Sequence, residues 1–448
     1  MMMRMRWLAV LIAGVLGTAT AAAQERSPVV VIAIDGLRPD YVLEPARHGR
    51  PIPHLAGFVA RGAWAEGVVG VVPTVTYPSF TTVLTGVNPA RHGIVANTTF
   101  DPLRRNQDGW YWYTSDIQAP TLWHAARSGG LRTASVHWPV SVGAPVDWNL
   151  PQIWRTGSPD DRKLLRALGT AGLQDTLEAL LREPYADGID ESIEGDERRA
   201  RFAARLLELE RPDFATLYFT ALDHEQHVYG PHTPQAYDAL ARIDALVGGL
   251  LATIERVYGG RAVVAVTSDH GFEPSPRALG LASALRERGL IRVGPNGAVT
   301  EWDAAPWVTG SSAAVVLARP DDAALERRVA ALLDTLAADG ALGIDRVLGR
   351  SELERRGGFP GASFLVGLES GWMFANGLTD PLVGPAGSAG MHGHLPDNPA
   401  LRASFFVRGP GISPRPLGLI RLVDEAPTLA RLMGVDLPDA EGTPLKLR

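Results

Sequence analysis

Five short runs of β-branched and other apolar residues constrain this chain more than any other feature: Val29 to Ile34, Thr133 to His137, Phe214 to Thr220, Ala262 to Thr267 and Ser404 to Val407. Long Ala/Leu/Arg-rich stretches with helical texture separate them. A strand that is apolar on both sides must be covered on both sides. The pattern therefore predicts an α/β fold, a mostly parallel sheet with helices on both faces. In such sheets ligands gather at the carboxyl ends of the strands. There Ile34 is followed by Asp35, Ala221-Leu222 by Asp223, and Thr267-Ser268 by Asp269-His270. Three strands bring carboxylates to one edge.

With 46% hydrophobic and 21% charged residues in 448, the chain is long and apolar enough for a large core, which excludes disordered and fibrous classes. Its 43 Lys+Arg against 49 Asp+Glu lack the basic excess of a sequence-independent binder of nucleic-acid duplexes. Zero Cys removes disulfides, thiolate metal sites and a lipid-modified Cys. Residues 1–23 combine Arg4 and Arg6, an apolar run from Trp7 to Leu16, and Ala21-Ala22-Ala23, which reads as an export signal cleaved near Ala23. The apolar run is shorter than the roughly 20 residues that span a bilayer. The expectation is a periplasmic or secreted protein with no stable membrane anchor. Between about 275 and 385 the texture changes to a strand–helix–strand insert, with Ala313 to Leu317 as a strand and Asp321 to Ala338 as a helix. This predicts a small α+β cap set into a core made of residues 24–274 and 386–448. The Pro/Gly-rich stretches 139–151 and 381–399 read as loops that wall the substrate.

The acids and histidines come in a definite order: Asp35, then Asp223 and His227 four apart, adjacent Asp269-His270, and His392 within Gly390-Met391-His392-Gly393. Carboxylate oxygens mixed with imidazole nitrogens suit Zn²⁺ and similar divalent ions. Six such ligands and a hydroxyl fill two sites, and two-metal hydrolases clamp the attacking and leaving oxygens of an in-line displacement. Thr76, in Pro73-Thr74-Val75-Thr76-Tyr77-Pro78, is the candidate hydroxyl. It also reads as a helix N-cap, a position compatible with a nucleophile because the helix dipole favours negative charge there.

The segments VVVIAIDGLRPDY, PTVTYPSFTTVLTGVNPARHGIVAN, LYFTALDHEQHVYGP, VAVTSDHGF and GMHGHLPDNPALRASFFVRGPGI, in this order over residues 29–411, resemble the nucleotide pyrophosphatase/phosphodiesterase family of the alkaline phosphatase superfamily. The resemblance implies an alkaline phosphatase-like three-layer sandwich with an inserted cap. It implies two Zn²⁺, one held by Asp35, Thr76, Asp269 and His270 and the other by Asp223, His227 and His392, with other divalent ions as alternatives. Thr76 is the implied nucleophile, forming a phosphothreonine intermediate. Asn97 is implied to donate to a phosphoryl oxygen, and Tyr77 to pack on the organic group of a small-molecule phosphodiester or nucleotide. Where many members have Asn-His after the motif proline, this chain has Ser79-Phe80, and His224-Glu225-Gln226 stands where Ser-Ser-Gly is usual. Spacing is kept and bulk is not, which affects the substrate pocket more than the metals.

Blander roles compete for several residues. Asp35 is also a turn former, His394 a loop histidine, His224 a neighbour able to replace His227, and Arg38 an ion-pair partner. Sulfatase chemistry is excluded, because Thr76-Tyr77-Pro78-Ser79-Phe80 lacks both the convertible Cys or Ser and the Arg of that motif. A zinc phosphomonoesterase adds Lys and Arg for a doubly charged phosphate, whereas the only lysines here are Lys163 and Lys446, far from every motif. Phosphodiester or pyrophosphate hydrolysis is therefore the favoured expectation. Phosphonate or phosphomonoester hydrolysis stands second, and an inactive zinc- or ligand-binding relative third.

Overall fold

A computed structural model of the chain describes residues 26–105, 109–154, 159–188 and 190–447, so the expected export signal lies outside the described residues. Along the chain come strands β1 (Val29–Ile34), β2 (Ala63–Trp64), β3 (Thr133–Val136), β4 (Trp148–Leu150), β5 (Phe214–Phe219) and β6 (Val263–Thr267). Next are β7 (Ala304–Thr309), β8 (Ser312–Leu317), β9 (Ile344–Gly349) and β10 (Phe364–Leu368), and finally β11 (Phe405–Arg408) and β12 (Arg415–Pro416). Eight of these form one sheet in the order β12-β2-β11-β6-β1-β5-β3-β4. The strands from β6 to β4 run parallel, and β11 is antiparallel to both its neighbours. All five predicted strand runs lie in this sheet. The stretch 139–151, expected as loop, also contributes the edge strand β4, because Trp148–Leu150 completes the ladder of β3.

Strand β1 shows why the sheet needs two covers. Its side chains alternate between faces, and all six residues are buried. Val30, Ile32 and Ile34 pack with Phe202 and Leu206 of helix α2 (Ile193–Glu210) and with Leu240 and Val247 of helix α4 (Pro234–Tyr258). Val29, Val31 and Ala33 pack on the opposite face with Phe80 and Leu84 of helix α1 (Thr76–Thr85) and Leu429 of helix α6 (Glu425–Met433). Burying side chains of this size stabilises by about 1.5–3 kcal/mol each, as an upper estimate. Parallel registry pairs Ala33 with both Tyr218 and Thr267, so β1, β5 and β6 end at one level. Short helix α3 (Ala221–Tyr229) leaves from the end of β5.

Residues between β6 and β11 build a separate antiparallel sheet, β7-β8-β10-β9, covered by helix α5 (Ala323–Ala337). It has its own core around Val315, Val329, Leu333 and Val366. Within 381–399 the chain forms two short strands, Val383–Pro385 and Gly390–Met391. The second pairs with Glu273–Pro274 just after β6, which carries His392 to the ends of the parallel strands.

Candidate metal centre and active site

Each candidate ligand is set by a different element. Asp35 directly follows β1, and its N–H donates to Phe219 O at 2.9 Å. Asp269 and His270 follow β6 by two residues, and Gly36 N donates to Asp269 Oδ1 at 3.1 Å. Asp223 and His227 lie one turn apart on α3 and so share a face. The first amides of that helix are anchored from α2: Thr220 N and Ala221 N donate to Asp196 at 3.0 and 2.9 Å. Asp196 pairs in turn with Arg199 at 2.5 Å, both essentially without exposure. His392 is pinned by the turn between β7 and β8, with Ser311 N donating to His392 O at 3.0 Å. Gly393 holds φ +89°, and a Cβ there would stand 2.0 Å from Thr309 O, so neither the angle nor the space admits another residue.

These residues fall into two groups, Asp35 with Asp269 and His270, and Asp223 with His227 and His392, each offering ligand atoms within 4.8 Å of one another. His270 Nε2 lies 3.4 Å from Asp35 Oδ1 and 3.0 Å from Asp269 Oδ2. His227 Nε2 lies 3.4 Å from Asp223 Oδ2, and His392 Nε2 3.8 Å from Asp223 Oδ1. The stacked rings of His270 and His392, 3.7 Å between centroids, join the two groups. Thr76 Oγ1, on the first turn of α1, is 3.5 Å from His270 Nε2.

The donor chemistry fits cations. In all three histidines Nδ1 faces a backbone carbonyl, Gly271 O at 3.1 Å, Gly390 O at 3.1 Å and Thr74 O at 3.3 Å. A carbonyl only accepts, so Nδ1 carries the proton and Nε2 turns a lone pair toward the carboxylates. Lone pair facing carboxylate is repulsive unless a positive ion stands between them. Consistently, Asp35 Oδ1, Asp223 Oδ1 and Asp269 Oδ2 are buried without a hydrogen-bond partner. None of the ion pairs among the described residues brings Lys or Arg to these acids. Burial, then neighbouring carboxylates, pushes the Asp35 and Asp223 carboxyls well above their usual range. Burial lifts Asp269 to about 6. It also lowers His227 and His270 to about 4 and His392 well below its usual value, so the imidazoles stay neutral.

The other expected residues divide. Thr76 is the first residue inside α1, and Val75 rather than Thr76 occupies the N-cap, without a side-chain bond. Asn97 Oδ1 accepts from Tyr77 N at 2.9 Å, which turns its NH₂ group away as a donor. Tyr77 is 1% exposed, packed on Trp110, with its hydroxyl donating to Gln152 Oε1 at 2.7 Å; its ring does not line the open cavity. His394 is buried outside both groups. His224 faces Glu191 at 3.6 Å, and Arg38 pairs with Asp40 at 3.0 Å.

Sequence reasoning missed Tyr218, whose hydroxyl donates to Asp35 Oδ2 and leaves Oδ1 toward the centre. A lone hydroxyl in the buried run Phe214-Ala215-Thr216-Leu217-Tyr218-Phe219, in register with Ala33, was the available signal. It also missed a cavity of about 600 Å³ that begins at Val75, Asn97 and His392 and continues between Phe100, Arg104 and Trp110 on one side and Trp307, Met373 and Phe374 on the other.

A profile of the family described as Type I phosphodiesterase / nucleotide pyrophosphatase matches residues 29–393. Human ectonucleotide pyrophosphatase/phosphodiesterase family member 1 is 25% identical over 263 residues, 56% of this chain and 24% of that protein. An uncharacterized pyrophosphatase/phosphodiesterase of Schizosaccharomyces pombe is 25% identical over 263 residues, 56% of this chain and 46% of that protein. The chain thus spans from a quarter to about half the length of these relatives. Human ectonucleotide pyrophosphatase/phosphodiesterase 5 has the same fold, with TM-score 0.66 and 19% identity over 93% of this chain and 97% of that one. An inactive form of the murine protein, solved in complex with AMP, is alike at 20% identity and TM-score 0.66 over the same shares.

Proposed function

The chain belongs to the type I phosphodiesterase / nucleotide pyrophosphatase family, and from that premise we propose that it hydrolyses phosphodiester or pyrophosphate bonds of small organic phosphates through a phosphothreonine intermediate on Thr76. One observation carries this reading: Thr76 Oγ1 stands 3.5 Å from His270 Nε2, at the start of a buried helix and beside an uncompensated carboxylate–imidazole cluster.

Asp35, Thr76, Asp269 and His270 would hold one Zn²⁺, and Asp223, His227 and His392 the other. Bound there, the ions supply charge that lowers the pKa of a hydroxyl and offsets negative charge developing on phosphoryl oxygens. Thr76 Oγ1 attacks phosphorus and loses its proton to solvent, the bond to the leaving oxygen breaks, and that oxygen takes up a proton from solvent. Water then attacks the phosphothreonine, the bond to Thr76 Oγ1 breaks, and the hydroxyl is restored. Asn97 Nδ2, oriented because Tyr77 N–H holds its Oδ1, donates to a non-bridging oxygen. Thr76 N–H, on the first turn of α1 and outside its hydrogen-bond ladder, joins it. Each such donor is typically worth about 3 kcal/mol of barrier.

The same reading makes residues 24–274 and 386–448 the core and 275–385 a cap that walls the substrate. The pattern in residues 1–23 supports export to the periplasm or medium. No described helix is long and apolar enough to cross a membrane.

Hydrolysis of bis-p-nitrophenyl phosphate, thymidine 5′-monophosphate p-nitrophenyl ester and p-nitrophenyl phosphate by the zinc-loaded protein tests the proposal. A diester preference that collapses with chelator and returns with zinc is the expected result. A monoester preference would favour the phosphomonoesterase reading, and failure on all three would turn attention to phosphonates or a binding role.

A further inference from the structure

We propose that the arm leaving phosphorus is a bulky apolar or aromatic alcohol, seated in the cavity lined by Phe100, Trp307, Met373 and His392. The inference rests on the phosphodiesterase reading and names the substrate class of that site.

The space beside Tyr77 is already filled. Trp110 lies 5.2 Å from Tyr77 and 5.6 Å from Trp112, and Trp154 lies 5.4 and 5.3 Å from these two tryptophans. A planar guest between two rings needs about 7 Å, twice the van der Waals thickness of a ring. These rings touch each other instead, so the organic group is directed elsewhere.

The open volume adjoins this cluster at Trp110. It begins at Val75, Asn97 and His392, and His392 is a member of the second ligand group, whereas Thr76 is bonded to the first. In an in-line displacement the departing oxygen lies opposite the nucleophile, which places the leaving arm at the mouth of this cavity. About 600 Å³ falls within the roughly 300–1,000 Å³ that accommodates a drug-sized group.

The lining selects the chemistry. Phe100 and Trp307, 5.3 Å apart, form one aromatic wall, and the rest mixes Met373 and Phe374 with the polar Thr98, Thr99, Asp101 and Asn376. Trp307 is held in place by its indole N–H, which donates to Thr98 O at 3.0 Å. Among the described lining residues the one guanidinium is Arg104, which donates to Asn376 O and is balanced by the carboxylate of Asp101 in the same wall. A departing pyrophosphate carries several negative charges and finds no net positive surface here. An apolar alcohol finds aromatic faces on which stacking and burial both contribute.

The experiment compares phenyl and 2-naphthyl esters of thymidine 5′-phosphate, whose alcohols have similar acidity, with ATP as a third substrate. The zinc-loaded full chain, Trp307→Ala, Trp307→Phe and Phe100→Ala are assayed for kcat and KM separately. The expected result is a kcat/KM about tenfold higher for the naphthyl than the phenyl ester, expressed mainly in KM. Trp307→Ala and Phe100→Ala should each narrow that ratio, and Trp307→Phe should restore most of it. Equal kcat/KM for the two esters, a preference untouched by both alanine variants, or ATP turned over faster than either aryl ester would overturn the inference while leaving the phosphodiesterase reading intact. No turnover of any of the three, nor of bis-p-nitrophenyl phosphate, would sink that reading, and the inference with it.

Discussion

Replacing Arg199 by Met tests how the second ligand group is positioned. Arg199 is 1% exposed and Asp196 is 0% exposed. Two N–H donors of the guanidinium meet Asp196 Oδ1 at 3.0 and 2.5 Å, and others reach Thr220 Oγ1 at 2.8 Å and Asp190 O at 2.9 Å. Methionine fills much of the volume and removes all of these bonds, leaving a buried carboxylate without a cation. Losing one partner of such a pair costs about 3–5 kcal/mol. A chain of 448 residues has an unfolding entropy of about 0.9 kcal/mol/K, so a loss of about 4 kcal/mol lowers Tm by roughly 4 °C. The pH dependence has a definite sign. Burial already raises the Asp196 carboxyl above its ordinary value, with Arg199 opposing. Without Arg199 it rises further, so the variant is penalised most at high pH and recovers as pH falls through the raised folded pKa toward the unfolded value of about 3.9. Urea unfolding of wild type, Arg199→Met and the double variant Asp196→Asn/Arg199→Met, at pH 5 and pH 8, provides the measurement. The double variant should regain about 2 kcal/mol over Arg199→Met at pH 8. A single variant that loses less than about 1 kcal/mol, or a double variant equally unstable, refutes the reasoning. Because Asp196 also anchors the first amides of α3, Arg199→Met should weaken zinc retention at Asp223 and His227, read by competition with a chromogenic chelator.

Three further expectations follow from other parts of the molecule. Thr76→Ala should lose diester turnover by roughly 10³-fold or more while retaining bound zinc and Tm, and comparable turnover by this variant would remove Thr76 as nucleophile. Asn97→Ala should lower kcat by about 10²- to 10³-fold with little change in KM; an effect confined to KM would reassign Asn97 to ground-state binding. His92 is buried, with Nδ1 accepting from Ile94 N at 3.2 Å and Nε2 3.0 Å from Thr82 Oγ1, and burial lowers its pKa to about 3. The depressed value means that its stability contribution is lost as pH falls below the unfolded value near 6.5, about 3 kcal/mol by pH 4.5. His92→Gln should flatten that slope in urea titrations between pH 7 and pH 4.5, and an unchanged slope would show that the ring is already solvated.

Much of the sheet was legible because its cause is local. Val29 to Ile34 and the other four apolar runs are buried on both faces, and such strands announce themselves without knowledge of their neighbours. Edge strand β4 was not legible: Trp148-Asn149-Leu150 sits between prolines and joins the sheet because β3 has an open edge, a tertiary circumstance. The boundary of α1 differed by one residue for a related reason. A threonine signals a cap by its chemistry, yet the chain enters the helix from an extended Val75, and the Thr76 hydroxyl turns to His270 instead of capping its own helix. Tyr77 shows the limit most plainly. An aromatic beside the candidate nucleophile reads as a substrate platform, and Trp110, Trp112 and Trp154 converge on it from distant segments and bury it.

Residue type and order were enough for the sheet class and for the inventory of carboxylates, imidazoles and hydroxyl, since backbone pairing and ligand chemistry reside in the residues themselves. Which atoms face inward is another matter. The carbonyls of Gly271, Gly390 and Thr74 choose the tautomer of each histidine, Tyr218 chooses the oxygen that Asp35 presents, and Asp196 holds the helix that carries Asp223. The aromatic slot is closed and the cavity beside His392 is open because side chains from segments far apart in the chain meet there. These outcomes depend on packing between segments up to hundreds of residues apart, and only the folded chain brings those segments into contact.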